Sequence, residues 1–340
     1  MKVLVTGGMG YIGSHTCIAL YEAGIMPVIF DNLANSSIKV LDQLKQITGH
    51  DFEFIQGDVA DTAAVRRALR QTEADAVLHF AALKAVGEST AQPLRYYNNN
   101  VAASINLLEV MRDMGVNKLI FSSSATVYGD PEYLPFDEQH PIRAASPYGR
   151  SKIMIEQVLQ DLCFASKEFL AVSLRYFNPV GAHPSGLLGE SPQGIPNNLL
   201  PFIAQTAVGH RPFVNVYGSD YPTLDGSGVR DYLHVMDLAK GHVAALLYHQ
   251  ADQGFHTYNL GTGQGYSVLE VLRAFSISAG KEIPFKLAPR RQGDVASYYA
   301  DASKAKQLLG WTAQHSLQQM TDDTWRWQSN YPQGLEFADE

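Results

Sequence analysis

Val3-Leu4-Val5-Thr6-Gly7-Gly8-Met9-Gly10-Tyr11-Ile12-Gly13 leads an apolar strand pattern into a glycine-rich turn and then a helical pattern. It contains Gly7-x-x-Gly10-x-x-Gly13 and, from Gly8, the literal G-x-G-x-x-G spacing. Glycines allow a tight turn and a close backbone approach to a pyrophosphate. The helix that follows offers unpaired N–H groups and the positive end of its dipole. The stretch predicts the first βα unit of an α/β fold that binds a dinucleotide.

Further strands are predicted over 26–30, 52–55, 76–80, 118–122 and 170–174. Helices are predicted between them over 11–23, 38–47, 62–70, 92–114 and 147–165. Continuous apolar strands alternating with helices imply a parallel sheet covered on both faces, a Rossmann-type doubly wound fold. The last helix is entered by Ser146 as N-cap with Pro147 at the first position. The helix over 92–114 carries Leu94, Tyr97, Val101, Ile105 and Leu108 on one stripe. After about residue 176, Pro and Gly become denser and short strands mix with helices. The expected division is a dinucleotide-binding domain over 1–175 and a smaller mixed α/β substrate lobe over 176–340, with some chain crossing back to the sheet.

Composition sets outer limits. The 340 residues are 46% apolar and 18% charged, enough to bury a core and too apolar for a disordered chain. With 26 basic and 34 acidic side chains the net charge is −8, which argues against nucleic acid as the main partner. The two cysteines exclude a disulfide framework and a Cys-rich zinc site, and no metal is expected. No apolar run is long enough to span a membrane, and the N-terminus lacks a signal-peptide core. A cytoplasmic protein without a membrane partner is expected.

Asp31 closes the second strand, 18 residues after Gly13. A carboxylate there accepts hydrogen bonds from ribose hydroxyls and repels a 2′-phosphate, which favours NAD over NADP. Asp58 follows the third strand. Tyr148 and Lys152, four apart, share a helix face, and Ser122-Ser123-Ser124 ends the fifth strand. In an open parallel sheet, ligands sit beyond the carboxyl ends of the strands, so Ser124, Tyr148 and Lys152 are expected to meet at the nicotinamide. One positive charge ~6 Å from a phenol, at an effective dielectric of ~20, is worth roughly 2.8 kcal/mol, about two pKa units. Lys152 and the cationic nicotinamide together are expected to bring Tyr148 close to neutrality, where a general base works best.

These motifs, with Phe80–Ser89, Ser122–Gly129, Leu174–Gly186, Gly228–Tyr232 and Pro289–Asp294, resemble the extended short-chain dehydrogenase/reductases over nearly the whole chain. The similarity is greatest to their UDP-glucose 4-epimerase branch. It implies an NAD site lined by Gly7, Gly10, Tyr11, Ile12, Gly13, Asp31, Asn32, Asn35, Ser36, Asp58, Val59, Phe80, Ala81, Ala82, Lys84, Asn99, Ser122, Tyr148, Lys152, Tyr176 and Phe177. It implies Tyr148 as base, Lys152 as its partner and Ser124 orienting a sugar 4-hydroxyl. Ser124, Tyr148, Phe177, Asn178, Asn198, Leu199, Asn215, Val216, Tyr217, Arg230, Arg291, Asp294 and Tyr298 would hold a UDP-hexose, the guanidiniums matching the diphosphate. The implied reaction interconverts UDP-glucose and UDP-galactose, in galactose metabolism, through a 4-keto sugar. Tyr298 would crowd a 2-acetamido group. The resemblance also implies a homodimer built on the helices over 92–114 and 147–165.

Two other readings remain open. A nucleotide-sugar 4,6-dehydratase begins with the same oxidation but resembles Thr-Asp-Glu-x-Tyr-Gly after the fifth strand, where this chain has Ser124-Ala125-Thr126-Val127-Tyr128-Gly129. A non-catalytic NAD-sensing protein would be expected to lose the Tyr or the Lys.

Overall fold

The computed structural model describes residues 1–335 except Asn197 and Gln292. Gln292 of the 289–294 motif, and 336–340 of the expected second lobe, lie outside the described residues. β1 (Lys2–Thr6), β2 (Met26–Asp31), β3 (Phe54–Gln56), β4 (Ala76–His79), β5 (Lys118–Ser122) and β6 (Leu170–Tyr176) match the predicted strands to within two residues. Five shorter strands and one long one follow: β7 (Asn178–Val180), β8 (Val214–Tyr217), β9 (Val229–Arg230), β10 (Tyr232–His234), β11 (Gly254–Leu260) and β12 (Tyr266–Ser267). The last two are β13 (Phe285–Ala288) and β14 (Ser297–Tyr298).

Seven strands form one parallel sheet in the order β3-β2-β1-β4-β5-β6-β11. Strand order runs away from β1 in both directions, so a crevice opens at the carboxyl ends of β1 and β4. Val3, Leu4 and Val5 are wholly buried because helices cover both faces. Val3, Val5, Ile18, Leu20, Leu238 and Val243 pack on one face, with helices Tyr11–Glu22 and Val235–Tyr248. Leu4, Val65, Leu69, Leu107, Met111, Ile155 and Leu159 pack on the other, with helices Thr62–Thr72, Ala103–Asp113 and Pro147–Ala165. A separate core of Leu200, Ile203, Val216, Phe275 and Met320 lies in the later chain. That chain also returns to the sheet: β11 pairs with β6 from Gly254↔Leu170 to Leu260↔Tyr176.

The predicted helix over 92–114 is interrupted. It resolves into Pro93–Tyr96, a π-helical turn Tyr97–Ala102, and Ala103–Asp113. The wider turn rephases the helix, so the predicted stripe is buried only in part: Leu108 joins the core and Val101 packs against it. Leu94 is 77% and Ile105 37% exposed, while Tyr96, Asn100, Ala103, Leu107 and Met111 turn inward. The turn buries Asn100, which accepts from Leu83 N–H and donates to Leu83 O, both at 2.9 Å. It thereby ties the loop after β4 to this helix beside the crevice.

The first glycines are required by geometry. Gly7 has φ +70° and a Cβ there would lie 2.6 Å from Ala81 N. A Cβ on Gly13 would lie 2.3 Å from Gly7 O. Gly87, in helix Val86–Ala91, faces open space. Gly13→Ala is expected to cost ~1–3 kcal/mol of stability or more. Gly87→Ala is expected to gain ~0.5–1 kcal/mol. Urea midpoints of the two variants against the parent check both signs.

Candidate active site

The β1 turn delivers helix Tyr11–Glu22 to the crevice with Gly10 as N-cap. No side chain caps this end and no acidic residue lies in its first turn. Asp31, at the end of β2, is buried. Its carboxylate accepts from Met9 N–H (3.0 Å), Leu33 N–H (2.8 Å) and Ser36 Oγ (2.9 Å). Burial pushes its pKa up, opposed by these bonds. Asp58 is exposed and accepts from Asn32 Nδ2 at 2.9 Å.

A cleft of about 660 Å³ joins these groups to Tyr148 and Lys152. Every residue expected to line the NAD site borders it except Phe177. Phe177 instead packs against Phe136 and Tyr298, with ring centroids 6.2 and 5.6 Å away. The opposite wall, 188–193 with Ile195, carries no sequence motif that marked it, and Asn198, expected at the UDP-hexose, borders the same cleft. Within it Glu190 pairs with Lys84 Nζ at 2.8 Å and accepts from Asn198 Nδ2 at 3.1 Å, which bridges the two sides.

The residues fit a dinucleotide on three counts. The uncapped helix end leaves its first N–H groups to an anion, a buried carboxylate stands at the ribose position, and the glycines leave no side chain between backbone and cleft.

At the inner end, helix Pro147–Ala165 starts as predicted: Ser146 Oγ accepts from Gly149 N–H at 3.1 Å, with Pro147 at the first position. This phases Tyr148 and Lys152 into the crevice, both buried. Lys152 Nζ donates to Ser122 O at 2.7 Å and lies 5.8 Å from the Tyr148 ring centre. Ser122 Oγ bonds Tyr176 OH at 2.7 Å. Ser124 Oγ accepts from Thr126 N–H at 3.2 Å and lies near enough to the Tyr148 phenol to lower its pKa.

The expected approach of Tyr148 to neutrality is not met by these side chains. Burial pushes its phenol up to about 12, against the Ser124 hydrogen bond. Burial also pulls the Lys152 ammonium down to about 7, opposed by Glu156. Desolvation penalises both ionised forms.

The later strands build a second cluster. Arg291 grips Asp294 through Nε at 2.8 Å and Nη2 at 3.2 Å, and its guanidinium lies 4.9 Å from the Tyr217 ring centre. Arg230 Nη2 stands 3.9 Å from Asp294 Oδ1 and its Nη1 donates to Val229 O and Val295 O. Arg230 is the β-partner of Tyr298, whose hydroxyl donates to Ala125 O at 2.5 Å, next to Ser124. The arginines are thus connected to the Ser124 segment through one aromatic residue. Asn178 Nδ2 is engaged by Asp231 O at 3.0 Å. The Val216 side chain is wholly buried, so strand alternation leaves Asn215 and Tyr217 facing outward. Asn198 and half-buried Leu199 begin helix Leu199–Ala207.

The sequence matches the family described as GDP-mannose 4,6 dehydratase over residues 4–324. UDP-glucose 4-epimerase of Bacillus subtilis is 53% identical over 339 residues, all of both chains. That of Yersinia pestis is 56% identical, over 98% of this chain and 99% of its own. The chain belongs to the UDP-glucose 4-epimerase family. The solved UDP-glucose 4-epimerase of Bifidobacterium longum, in complex with NAD+ and UDP, superposes with TM-score 0.95 at 51% identity, over 98% of this chain and 100% of that one. The enzyme of Stenotrophomonas maltophila, with bound NAD and formylated UDP-arabinopyranose, gives 0.96 at 50%, over 98% and 99%. Membership fits the run after β5, where Ala125 and Thr126 stand in place of the acidic pair of the dehydratase pattern.

Lys152 makes a testable demand on folding. It titrates at 10.5 normally and at about 7 in the fold, so the unfolded chain holds the extra proton between those values. Stability from this group therefore rises with pH across that window, and the full burial penalty is present below it. Lys152→Met is expected to be more stable than the parent near pH 6 by ~2 kcal/mol, the lost bond to Ser122 offsetting part of the gain. The difference should shrink as pH approaches 10. Urea midpoints across that range measure it, and a pH-independent difference would contradict the assignment.

Proposed function

We propose that this epimerase-family chain interconverts UDP-glucose and UDP-galactose, with NAD held in the cleft between Asp31 and Lys152. The observation that carries the reading is the meeting of Tyr148 and Lys152 at the inner end of that cleft, with Ser124 next to Ser122, whose carbonyl holds the ammonium. Bound NAD supplies reversible removal of hydrogen from the sugar C4 and a positive charge beside the phenol. Tyr148 takes the proton of the 4-hydroxyl and later returns it. Ser124 hydrogen-bonds the phenol and orients that hydroxyl, which favours the ionised phenol. Lys152, held by the Ser122 carbonyl, adds positive charge below the ring.

The 4-keto sugar must turn over while the nucleotide stays fixed. Arg230 and Arg291, with Asp294, Asn215, Tyr217, Asn198 and Leu199, are the groups we assign to UDP, the guanidiniums to the diphosphate and Asp294 to ribose hydroxyls. Remote binding energy of this kind retains the intermediate during rotation. Phe177 and Asn178 flank the hexose. Tyr298, packed 4.4 Å from the Phe136 ring and pinned to Ala125, narrows the space beside it and favours sugars without a 2-acetamido group.

In domain terms, 1–175 with the returning 235–260 segment holds NAD, and the rest of 176–340 clamps UDP. No described helix is long and apolar enough to cross a membrane. We assign the chain to the cytoplasm, to galactose metabolism, and to a homodimer through helices Ala103–Asp113 and Pro147–Ala165, whose Ile105 and Met154 are exposed.

Incubation of the purified protein with UDP-galactose, without added NAD, tests the reading. UDP-glucose is the expected product. A 6-deoxy-4-keto sugar would mean dehydration, and no product would mean a binding role. Tyr148→Phe is expected to lower kcat by at least ~10³-fold with UDP affinity retained. Near-normal conversion would overturn the assignment of the base.

A further inference from the structure

One turn after Lys152 on the same helix lies Glu156, a buried carboxylate to which the reaction as described gives no role. Its Oε1 accepts from Ser123 Oγ (2.6 Å), Ser173 Oγ (2.7 Å) and Arg175 Nε (3.0 Å). Its Oε2 accepts from Arg175 Nη2 at 2.5 Å. Ser123 sits between Ser122, whose carbonyl holds the Lys152 ammonium, and Ser124, whose hydroxyl lowers the pKa of the Tyr148 phenol. One carboxylate therefore fastens the segment bearing both of these partners to the helix bearing Tyr148 and Lys152. A buried ion pair is an expensive way to pack a helix on a sheet, since apolar residues of similar volume do so at no desolvation cost.

We propose that Glu156 is a positioning residue for the epimerisation. Through Ser123 it fixes the Ser122 carbonyl and the Ser124 hydroxyl against Lys152 and Tyr148. The proposal rests on the reading of Tyr148 as base with Lys152 as its partner. Lys152 is faced by Tyr148 and Glu156 from its own helix and by His79 from β4, while Tyr176 bonds Ser122 Oγ and Arg175 bonds Glu156. His79, bonded to Thr6 and Ser104, is held neutral by burial with its pKa lowered to about 3. Burial pushes the Tyr176 phenol well above its ordinary value. Arg175 carries positive charge and is paired with Glu156. Glu156 is thus the ionised neighbour whose charge raises the Lys152 pKa against burial.

The test compares kcat, KM for UDP-galactose and the pH profile of kcat in the parent, Glu156→Gln and Ser123→Ala. Glu156→Gln keeps an acceptor for Ser123 but removes the charge. Its alkaline limb is expected to move down by about one pH unit, with a roughly tenfold lower kcat at neutral pH and little change in KM. Ser123→Ala keeps the ion pair, so its limb should stay in place while kcat falls by roughly fivefold. Glu156→Asp, which keeps the charge, should restore the position of the limb. A purely structural role would lower melting temperature without moving the limb. Should Glu156→Gln fail to fold, Ser123→Ala decides: a parental kcat in that variant overturns the proposal. It is equally overturned if folded Glu156→Gln keeps the parental limb. A parent that makes no UDP-glucose, or an active Tyr148→Phe, would instead overturn the underlying reading.

Discussion

The ammonium of Lys152, buried and held 2.7 Å from the Ser122 carbonyl, is the contact on which the rest of the site depends. It joins the end of the fifth strand to the helix that carries the Tyr148 phenol. A charge in that position is costly, and the fold meets the cost with a backbone carbonyl, a nearby carboxylate and the Phe121 ring 4.8 Å away. In return, a positive charge and a phenol stand together, both largely buried at the inner end of the cleft. Proton transfer to a sugar hydroxyl needs that combination.

The sheet supplies the other half of the constraint. Because strand order reverses at β1 and β4, the turn after β1 and the ends of β4 and β5 open onto one crevice. The later chain is anchored to the same sheet by β11, so the arginine cluster is fixed relative to the phenol rather than carried on a linker. Tyr298 spans the interval, with Arg230 beside its backbone and Ala125 at its hydroxyl. Net charge says nothing about this geometry: the chain is acidic overall, yet two guanidiniums meet in the later lobe.

The strands of the first half were legible because each is a short apolar run bounded by glycine or polar residues, and the glycine turn needed no tertiary context. The turn at Tyr97–Ala102 was not legible. Its periodicity reads as a continuous helix, and only the need to bury Asn100 against Leu83 reveals the extra residue. Lys152 was legible as a partner for Tyr148 by spacing, but not the degree of its desolvation, which long-range packing sets. Glu156 had a local signal, four residues after Lys152, but its partners Ser173 and Arg175 come from a distant strand. The 188–193 wall of the cleft carries neither periodicity nor a motif, and Glu190 gains meaning only when Lys84 and Asn198 are seen to meet on it. The resemblance names Asn215, Val216 and Tyr217 together, whereas strand alternation turns the Val216 side chain into the core, away from its two neighbours.

The central claim is that the hydrogen at C4 leaves and returns within one closed site while Tyr148 handles only the hydroxyl proton. Conversion of UDP-galactose carrying deuterium at C4, in ordinary water and followed by NMR, tests it directly. The account predicts UDP-glucose that keeps the deuterium at C4, with no loss to solvent. Appearance of protium at C4 at the rate of conversion would contradict it.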